Sequence, residues 1–293
     1  MIVVQLTGGL GNQMFQYAAG YALSVRHHVP LGLDLSEFPK HPLRTFRLDH
    51  FCIDGRVIPS WLARFLTRNH GERRIERLVS AAAHRFEPRY RHEILEERHF
   101  HFDPNILTAS AQTYLVGYWQ SYRYFDAVSE QLRRRLSLRK PLGSTSQVIA
   151  SKIAERPSVS IHVRRGDYVA DAEQSAIHGA CGVEYYRKAV DIVANTIGDM
   201  QLFVFSDDFL WTKANLCFPI PTIFVDQNGP ERDYEDMILM AMCDHHIIAN
   251  SSFSWWGAWL CASRDQLVIA PAQWFANDEH NIEDLCPNHW IRI

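Results

Sequence analysis

Apolar and polar positions alternate along the chain in blocks that have the lengths of short strands and helices. The run IVVQL at residues 2–6 predicts a buried strand, and residues 14–28 carry apolar side chains at helical spacing. The run VPLGLDL at residues 29–35 predicts the next strand. A strand, a helix and a strand in this order predict a βαβ unit with a parallel sheet.

The alternation returns in the second half of the chain. The predicted strands there are residues 158–163, 201–206, 222–226, 245–250 and 266–271. The predicted helices are residues 183–197, 234–243 and 254–262. Residues 139–147, RKPLGSTSQ, combine Pro, Gly, Ser and Thr and predict a linker. We therefore expect an α/β protein with two doubly wound, Rossmann-like domains, residues 1–143 and 144–293, which face each other across a cleft.

The stretch between the first βαβ unit and the linker has a weaker pattern. Residues 39–105 are rich in Arg, His and Glu, and helical spacing occurs only at residues 59–66 and 73–86. Residues 113–125 predict a buried strand that runs into a loop, and residues 126–136 predict an amphipathic helix.

Composition narrows the class of function. The chain has 293 residues, 47% of them hydrophobic, and a formal net charge of −3, which argues against nucleic acid as the main partner. The amino terminus lacks the basic region of a signal peptide, and no apolar run reaches the roughly 18 residues that cross a bilayer. We expect a cytoplasmic protein. Peripheral attachment to the inner face of the membrane through the basic residues 133–135 is an alternative, although such a run usually marks a solvated helix face.

The first candidate site is the turn GGLGNQ between the first predicted strand and helix. Gly8, Gly9 and Gly11 let a ligand approach backbone N–H groups, and the helix dipole favours an anion there. Asp34 ends the second predicted strand, where a dinucleotide-binding fold carries its ribose-binding acid. An NAD(P)-dependent oxidoreductase is therefore an alternative, which Met14 at the third glycine position weakens. A tight turn without a ligand is the other alternative.

The second candidate site is HVRRGDY, at the predicted end of the strand 158–163. Ligands of open α/β sheets bind at this end of the strands, and arginine matches phosphate oxygens. Along a strand His162 and Arg164 point to one side and Arg165 to the other, so the first two could share one ligand. Arg165 is predicted to brace Asp167 or the loop. An internal ion pair between Arg164 and Asp167 is the alternative to phosphate binding.

Polar residues follow two later strands as well. Asn250, Ser251 and Ser252 precede a predicted helix, where their side chains either help to bind an anion or only cap the helix. Asp207 and Asp208 resemble an acidic metal-binding pair, but capping of the next helix explains one of them. The paired histidines lack the companion ligands and the spacing of a zinc site. They are His27 and His28, His99 and His101, and His245 and His246. No metal site is predicted.

Five segments together resemble the bacterial α1,2-fucosyltransferases, the glycosyltransferase family 11 type, an inverting family that also includes the mammalian blood-group H enzymes. They are GGLGNQMFQYAAGYAL, GYWQSYRYF, HVRRGDY, FSDD and NSSFSWWGAWL, in the family's order over nearly the whole chain. The resemblance implies the two-domain fold called GT-B. It also implies GDP-fucose as the donor substrate, with no metal or other cofactor required.

The resemblance also implies roles for single residues, through the α1,6- and protein O-fucosyltransferases, whose donor sites are similar. His162 is expected to contact guanine and Arg164 the β-phosphate. Asp236 matches a guanine-reading aspartate, and Ser252, beside Ser251, matches a phosphate-binding serine.

The first domain is expected to contribute the GGLGNQ turn. Gly9, Gly11, Asn12 and Gln13 would close over the fucose and the diphosphate, with the two amide side chains offering hydrogen bonds. No catalytic base follows from the resemblance, because Ala172 stands at the position that it indicates.

Arg164 and Asp167 are the predicted catalytic residues. Arg164 would meet the negative charge that grows on the β-phosphate. Asp167 is the first candidate for a base because it lies nearest the arginines in sequence, and Asp171 and Glu173 are the alternatives. A strongly dissociative reaction would need little help from a base.

The sequence thus predicts a galactoside α1,2-fucosyltransferase. It would transfer L-fucose from GDP-β-L-fucose, with inversion, to the 2-hydroxyl of a galactose-terminated oligosaccharide or a lipid-linked glycan, in the synthesis of surface polysaccharide such as O-antigen. Acceptor specificity is expected mainly in residues 39–105. The alternatives are the oxidoreductase and a non-catalytic protein that binds nucleotide sugars.

Overall fold

The computed structural model describes residues 1–41, 44–67, 92–170, 175–177, 179–263, 265–277 and 280–293. The chain divides into two compact units, Met1–Ser137 and Leu138–Ile293. Each unit contains its own parallel sheet. The division falls shortly before the predicted boundary after residue 143. The helix predicted at residues 73–86 lies outside the described residues.

The first unit is built on one five-stranded parallel sheet. Its strands are β1 Ile2–Gln5, β2 Leu31–Asp34, β3 Arg56–Val57, β4 Glu93–Glu96 and β5 Thr113–Val116. The α-helices in its described ranges are α1 Leu10–His27, α2 Ser60–Thr67 and α3 Ser129–Arg135. The strand order is β3-β2-β1-β5-β4, so the predicted βαβ opening lies at the centre of the sheet.

Helix α1 begins earlier than the apolar pattern predicts. Gly9 has an extended backbone and caps the helix, so that Gly11 lies in the first turn of the helix and not in the preceding turn. A Cβ at Gly20 would lie 3.1 Å from side-chain atoms of both Val4 and Leu31. The absence of a side chain there lets α1 pack closely on β1 and β2.

The second unit is built on a six-stranded parallel sheet. Its strands are β6 Ser158–Val163, β7 Gln201–Ser206, β8 Thr222–Phe224, β9 His245–Ile247, β10 Val268–Ala270 and β11 Ile291–Arg292. Its helices are α4 Ser144–Ile153, α5 Gly166–Ala170, α6 Val183–Ile197, α7 Phe209–Asn215, α8 Asp233–Met242 and α9 Ser252–Trp259. The strand order β11-β10-β9-β6-β7-β8 places β6 near the middle.

The two faces of β6 differ in chemistry, because successive side chains alternate. Val159, Ile161 and Val163 belong to an apolar core that includes residues of α6. The other face is polar. Ser160 Oγ lies 2.8 Å from His246 Nδ1, and Ser158 Oγ donates to Asp244 at 2.8 Å.

The predicted linker at residues 139–147 is partly helical. Gly143 has an extended backbone and caps α4, which begins at Ser144. Ser146 is fully buried, and α4 packs against α8. Tertiary packing has thus converted a Ser- and Thr-rich sequence into a helix. In the described part of the chain, no helix combines the length and the apolar composition that crossing a membrane requires.

Candidate functional site

The arginines of HVRRGDY and the aspartates of FSDD meet at the carboxyl edge of the second sheet. Strands β6 and β7 pair with Val163 opposite Ser206, so Arg164 and Asp207 leave the sheet side by side. Arg164 Nη1 lies 3.1 Å from Asp207 Oδ2, and the Arg165 backbone N–H donates to Asp207 Oδ1 at 2.8 Å. Arg164 therefore forms an ion pair with Asp207, and the side chain of the alternative partner, Asp167, lies outside the described residues.

Gly166 makes this arrangement possible. A Cβ at that position would lie 2.9 Å from Asp207 Oδ2, too close for any other residue unless the carboxylate moved. The glycine lets the Asp207 carboxylate approach the start of α5, where it holds the Arg164 guanidinium and the Arg165 N–H.

Arg165 points to different partners. Its guanidinium carbon lies 3.7 Å from the centre of the Trp211 ring, and its Nε lies 3.7 Å from Asp208 Oδ2. Asp208 Oδ1 accepts from the Trp211 N–H at 3.0 Å and caps α7. Arg165 therefore contacts Trp211 and Asp208, and its predicted contact with Asp167 involves a side chain outside the described residues.

His162 is buried at the end of β6. Its ring centre lies 5.5 Å from that of Phe253 in α9. Burial, and then the nearby positive charge of Arg164, lower the pKa of His162 to about 3, so the imidazole is neutral at physiological pH. Among the described residues, none hydrogen-bonds to His162 Nδ1. A neutral imidazole with an unused nitrogen suits a hydrogen bond to a heterocyclic base.

The serines lie at the amino terminus of α9. Ser251 caps this helix, its Oγ accepting from the Phe253 N–H at 3.3 Å, and Ser252 is the first helical residue. Because helix amino termini present N–H groups and a partial positive charge, this end of α9 favours an anion. Asn250 serves another purpose, since its Nδ2 donates to the carbonyls of Gly179 and Trp274, both at 3.1 Å.

Asp236 lies in the first turn of α8 and belongs to a polar network. Asn228 Nδ2 donates to Asp236 Oδ1 at 2.7 Å and lies 3.0 Å from Ser146 Oγ of α4. Burial and the neighbouring carboxylates of Asp233 and Glu235 raise the pKa of Asp236 to about 7, against the opposing effects of the Asn228 hydrogen bond and Arg232. Oδ2 of Asp236 makes no hydrogen bond with the described residues.

A second carboxylate of α8 is structural. The Arg232 guanidinium holds Glu235 through two oxygens at 2.8 Å each, and the Gly143 N–H donates to Glu235 Oε2 at 3.1 Å. The hydrogen bonds that Ser146, Arg232 and Gly143 donate overcome the effect of burial and lower the pKa of Glu235. This network ties the start of α4 to the start of α8.

The GGLGNQ turn of the first unit is held mainly by its own side chains. Gly8 has φ +76°, a left-handed conformation that favours glycine. Gln13 is fully buried, and its amide donates to the carbonyls of Gly8 at 2.9 Å and Thr45 at 2.8 Å and accepts from the Arg47 N–H at 2.9 Å. Its hydrogen-bonding capacity is used within the unit, so the geometry favours a supporting role over the predicted contact with the donor.

The surroundings of Asn12 and Gly9 are compatible with the predicted binding of the donor. Asn12 is half-buried, and its Oδ1 accepts from Gln120 Nε2 at 2.9 Å. A Cβ at Gly9 would lie 3.6 Å from Arg44 Nη1, so the helix amino terminus and a guanidinium are close together. The turn thus combines N–H groups with a positive side chain, which suits an anion.

Asp34 does not have the environment of a ribose-binding acid. Its Oδ1 accepts from the Ser36 N–H at 3.0 Å, and its Oδ2 accepts from the Ser36 hydroxyl at 2.9 Å and from Tyr114 Oη. Both oxygens are engaged inside the unit, and the side chain is buried. This geometry weakens the oxidoreductase alternative.

The candidate bases are placed only in part. The backbone of Asp167 lies in α5, but its side chain is outside the described residues, as are Asp171, Ala172 and Glu173. Within the described ranges, no group of three or more His, Cys, Asp or Glu side chains could hold a metal ion.

A pocket of about 270 Å³ opens beside the carboxyl ends of β9 and β10. Its lining includes Cys181, Tyr185, Asn250 and Phe275. Burial raises the pKa of the Cys181 thiol to about 11, so it is no thiolate nucleophile at neutral pH. The pocket therefore offers shape and apolar surface, and no reactive sulfur.

Comparison with known proteins identifies the family of the chain. The family model described as "Glycosyl transferase family 11" matches residues 85–293 of the chain. An alpha-1,2-colitosyltransferase of Escherichia coli is 37% identical over 302 residues, which cover 100% of this chain and 99% of that protein. The O-antigen biosynthesis glycosyltransferase WbnK of Escherichia coli is 32% identical over 304 residues, covering 98% of this chain and 99% of that protein.

The chain is similar to a solved structure of an Arabidopsis thaliana FUT1 mutant in complex with GDP. The TM-score is 0.54 and the sequence identity is 12%. The match covers 91% of this chain and 69% of that chain. At this identity the likeness concerns the fold. It confirms the predicted fold class, an α/β protein with two parallel-sheet domains of the GT-B type.

Proposed function

Because the chain belongs to glycosyltransferase family 11 and transfers a sugar, we propose that its donor is GDP-β-L-fucose and its acceptor the 2-hydroxyl of a galactoside. The observation that carries the proposal is the group of polar residues at the carboxyl edge of the second sheet. These residues are His162 and Arg164 at the end of β6, Ser252 at the start of α9 and Asp236 in the first turn of α8, and they match in sequence the residues that the resemblance to fucosyltransferases indicates.

Recognition of guanine is proposed to rest on the half-buried carboxylate of Asp236 and the buried imidazole of His162. The ionised Asp236 carboxylate accepts hydrogen bonds, which matches the N1–H and the 2-amino group of guanine. The neutral His162 imidazole can face another edge of the base. Adenine presents no N1–H and no 2-amino group, so this pair favours a guanine nucleotide.

Departure of GDP is the step that the arginine assists. As the C1–O bond breaks, the sugar gains oxocarbenium character and negative charge grows on the β-phosphate. Arg164, held in place by Asp207, and the amino terminus of α9 both stabilise that charge. The proposal requires no metal, because fixed positive groups serve the leaving group.

Attack by the acceptor hydroxyl comes from the face opposite GDP, which inverts the configuration and gives an α-linked product. Asp167 remains our candidate for the base that takes the hydroxyl proton, since α5 brings its backbone next to the Arg164–Asp207 pair. The GGLGNQ turn is proposed to bind the donor through Gly9, the backbone of Gly11 and Asn12.

GDP-colitose is a second candidate donor, because a protein named as an alpha-1,2-colitosyltransferase is 37% identical over the whole chain. Colitose is L-fucose without its 3-hydroxyl, so the same nucleotide site serves both donors. The similarity to WbnK, named for O-antigen biosynthesis, supports a glycan as the acceptor, and we propose a galactose-terminated oligosaccharide or lipid-linked glycan.

The test is a transfer assay with purified protein. GDP-fucose and GDP-colitose are each offered with a set of β-galactosides, and the linkage and anomeric configuration of the product are determined by NMR. We expect an α1,2-linked fucosyl product. Transfer of colitose alone would establish the second donor, and a linkage other than α1,2 would contradict the proposed acceptor position.

A further inference from the structure

Residues 117–121, GYWQS, form a segment of the first unit that the proposed donor site does not use. We call it the GYWQS loop. It leaves the carboxyl end of β5, which pairs with β1 on one side and β4 on the other. The loop therefore lies beside the GGLGNQ turn that follows β1, at the edge where open parallel sheets bind ligands.

The backbone of the loop is held by a glutamate at the end of β4. Glu97 Oε2 accepts from the Tyr118 N–H at 2.7 Å, and Oε1 accepts from the Trp119 N–H at 3.0 Å. Gly117 has φ +151°, and a Cβ there would overlap the Glu97 side chain. Burial raises the pKa of Glu97, whose two hydrogen bonds oppose that rise. The glutamate replaces water as the partner of two loop amides.

Further contacts hold the GYWQS loop in a strained backbone conformation. Trp119 has φ +57°, which is unfavourable for a residue with a side chain. Its indole is buried against Tyr124. Gln16 Nε2 donates to the Gly117 carbonyl at 3.1 Å, and Gln120 Nε2 donates to Asn12 Oδ1 at 2.9 Å. Strain of this kind persists where the surroundings impose it, and it is concentrated at functional sites.

Tyr118 is the residue that this arrangement presents to solvent. Its side chain is 45% exposed, whereas Trp119 and Gln120 beside it are buried. Its hydroxyl makes no hydrogen bond with the described residues. An exposed ring adds little to the stability of the unit. The strained and anchored backbone of the GYWQS loop is therefore best explained by a requirement to position the Tyr118 ring.

We propose that Tyr118 is an acceptor-binding residue whose ring stacks on the apolar face of the galactoside; this rests on the proposed function. In a β-galactoside the axial 4-hydroxyl leaves the hydrogens of C3, C4 and C5 on one face, which forms an apolar patch. A rigid, half-exposed tyrosine supplies the matching flat surface at low entropic cost. The expectation that acceptor specificity lies in residues 39–105 is thereby extended to the next loop.

The test compares Tyr118→Ala with Tyr118→Phe. Met242→Ala is the matched control, since Met242 is also 45% exposed, ends α8 of the second unit and has no role in the proposed site. Binding of lactose is measured by saturation-transfer NMR and titration without any donor, and the KM for lactose is measured in the transfer assay. Thermal unfolding of each variant shows whether the fold is kept.

Tyr118→Ala should weaken lactose binding and raise its KM by roughly fivefold to tenfold, with an unchanged melting temperature. Tyr118→Phe and Met242→Ala should stay within about twofold of the wild type. The inference is overturned if Tyr118→Ala binds lactose normally, if Tyr118→Phe loses as much as Tyr118→Ala, or if the wild-type protein binds no galactoside. Because the binding arm needs no donor, failure of GDP-fucose as the substrate appears separately, as lactose binding without fucose transfer.

Discussion

In the proposed contact between Asp236 and guanine, the raised pKa of Asp236 makes donor affinity dependent on pH. Guanine donates two hydrogen bonds, and only the ionised carboxylate accepts both. Burial and the charges of Asp233 and Glu235 bring the pKa of Asp236 to about 7, so the free protein holds a proton there below neutral pH. Binding of a GDP-sugar must displace this proton. The affinity should therefore rise as the pH rises through 7 and level off above it.

The size of the effect follows from the titration of one group. Each pH unit below the pKa of Asp236 should weaken binding about tenfold, so the Kd at about pH 6 should be roughly ten times that at about pH 8. GDP-fucose is the right probe, because its diphosphate carries no proton that titrates in this range. His162 stays neutral throughout, with a pKa of about 3.

Isothermal titration calorimetry at several pH values measures this dependence. Asp236→Asn should bind weakly and without the pH dependence. Asn228→Ala should move the midpoint upwards, since the Asn228 N–H stabilises the ionised carboxylate. Asp191→Asn, an exposed change on α6, is the control and should match the wild type. A flat profile for the wild type, or an unchanged profile in Asp236→Asn, would refute the reasoning.

The same carboxylate affects the stability of the protein without ligand. Because its folded-state pKa of about 7 lies above the ordinary value of 3.8, the folded chain keeps a proton that the unfolded chain loses between these pH values. Stability from this group is therefore greatest at low pH and declines as the pH rises towards 7.

Three further changes separate groups that act in the reaction from groups that hold the fold. Arg164→Ala should lower kcat about 10²- to 10³-fold. Arg165→Ala should lower kcat less and should also lower the melting temperature, because the contact with Trp211 is lost. Equal losses in kcat would contradict the assignment. Asp208→Ala should lower the free energy of unfolding by about 1 kcal/mol in urea titration, because it removes the cap of α7. Gln13→Ala should cost about 2–4 kcal/mol in the same measurement, because a buried amide with three partners is lost; a stable variant with a raised KM for the donor would restore the predicted binding role.

Long, regular elements could be predicted from the sequence. Strand β6 and helix α6 have the predicted bounds, because a fully buried strand and an amphipathic helix each repeat a clear pattern over many residues. The short strands β3, β4 and β11 were not predicted. Two of them have exposed side chains throughout, and such strands exist only because a neighbouring strand offers a backbone to pair with.

Single residues of the candidate site could be predicted from the sequence, but most of the contacts between them could not. Alternation along β6 indicated His162, whose burial and neutral charge fit a contact with a base. The pairing of Arg164 with Asp207 depends on the register of β6 and β7, which no local pattern contains. A usable signal was present, since both residues directly follow predicted strands of one parallel sheet.

Asn228 and Glu97 were missed for the same reason. Asn228 acts through Asp236 and Ser146, and Glu97 acts through the amides of the GYWQS loop, so the roles of both depend on residues distant in the chain. Gln13 shows how a local pattern leaves out distant partners. A glutamine next to a glycine turn suggests a ligand contact, but its partners are three backbone groups.

The most direct test of the central claim is a calorimetric titration of the wild-type protein with GDP, ADP and NAD⁺ under one set of conditions. The arrangement of His162, Arg164 and Asp236 predicts that GDP binds, that ADP binds far more weakly because it lacks the donors that Asp236 reads, and that NAD⁺ does not bind. Binding of NAD⁺ in preference to GDP, or equal binding of GDP and ADP, would contradict the account of this site.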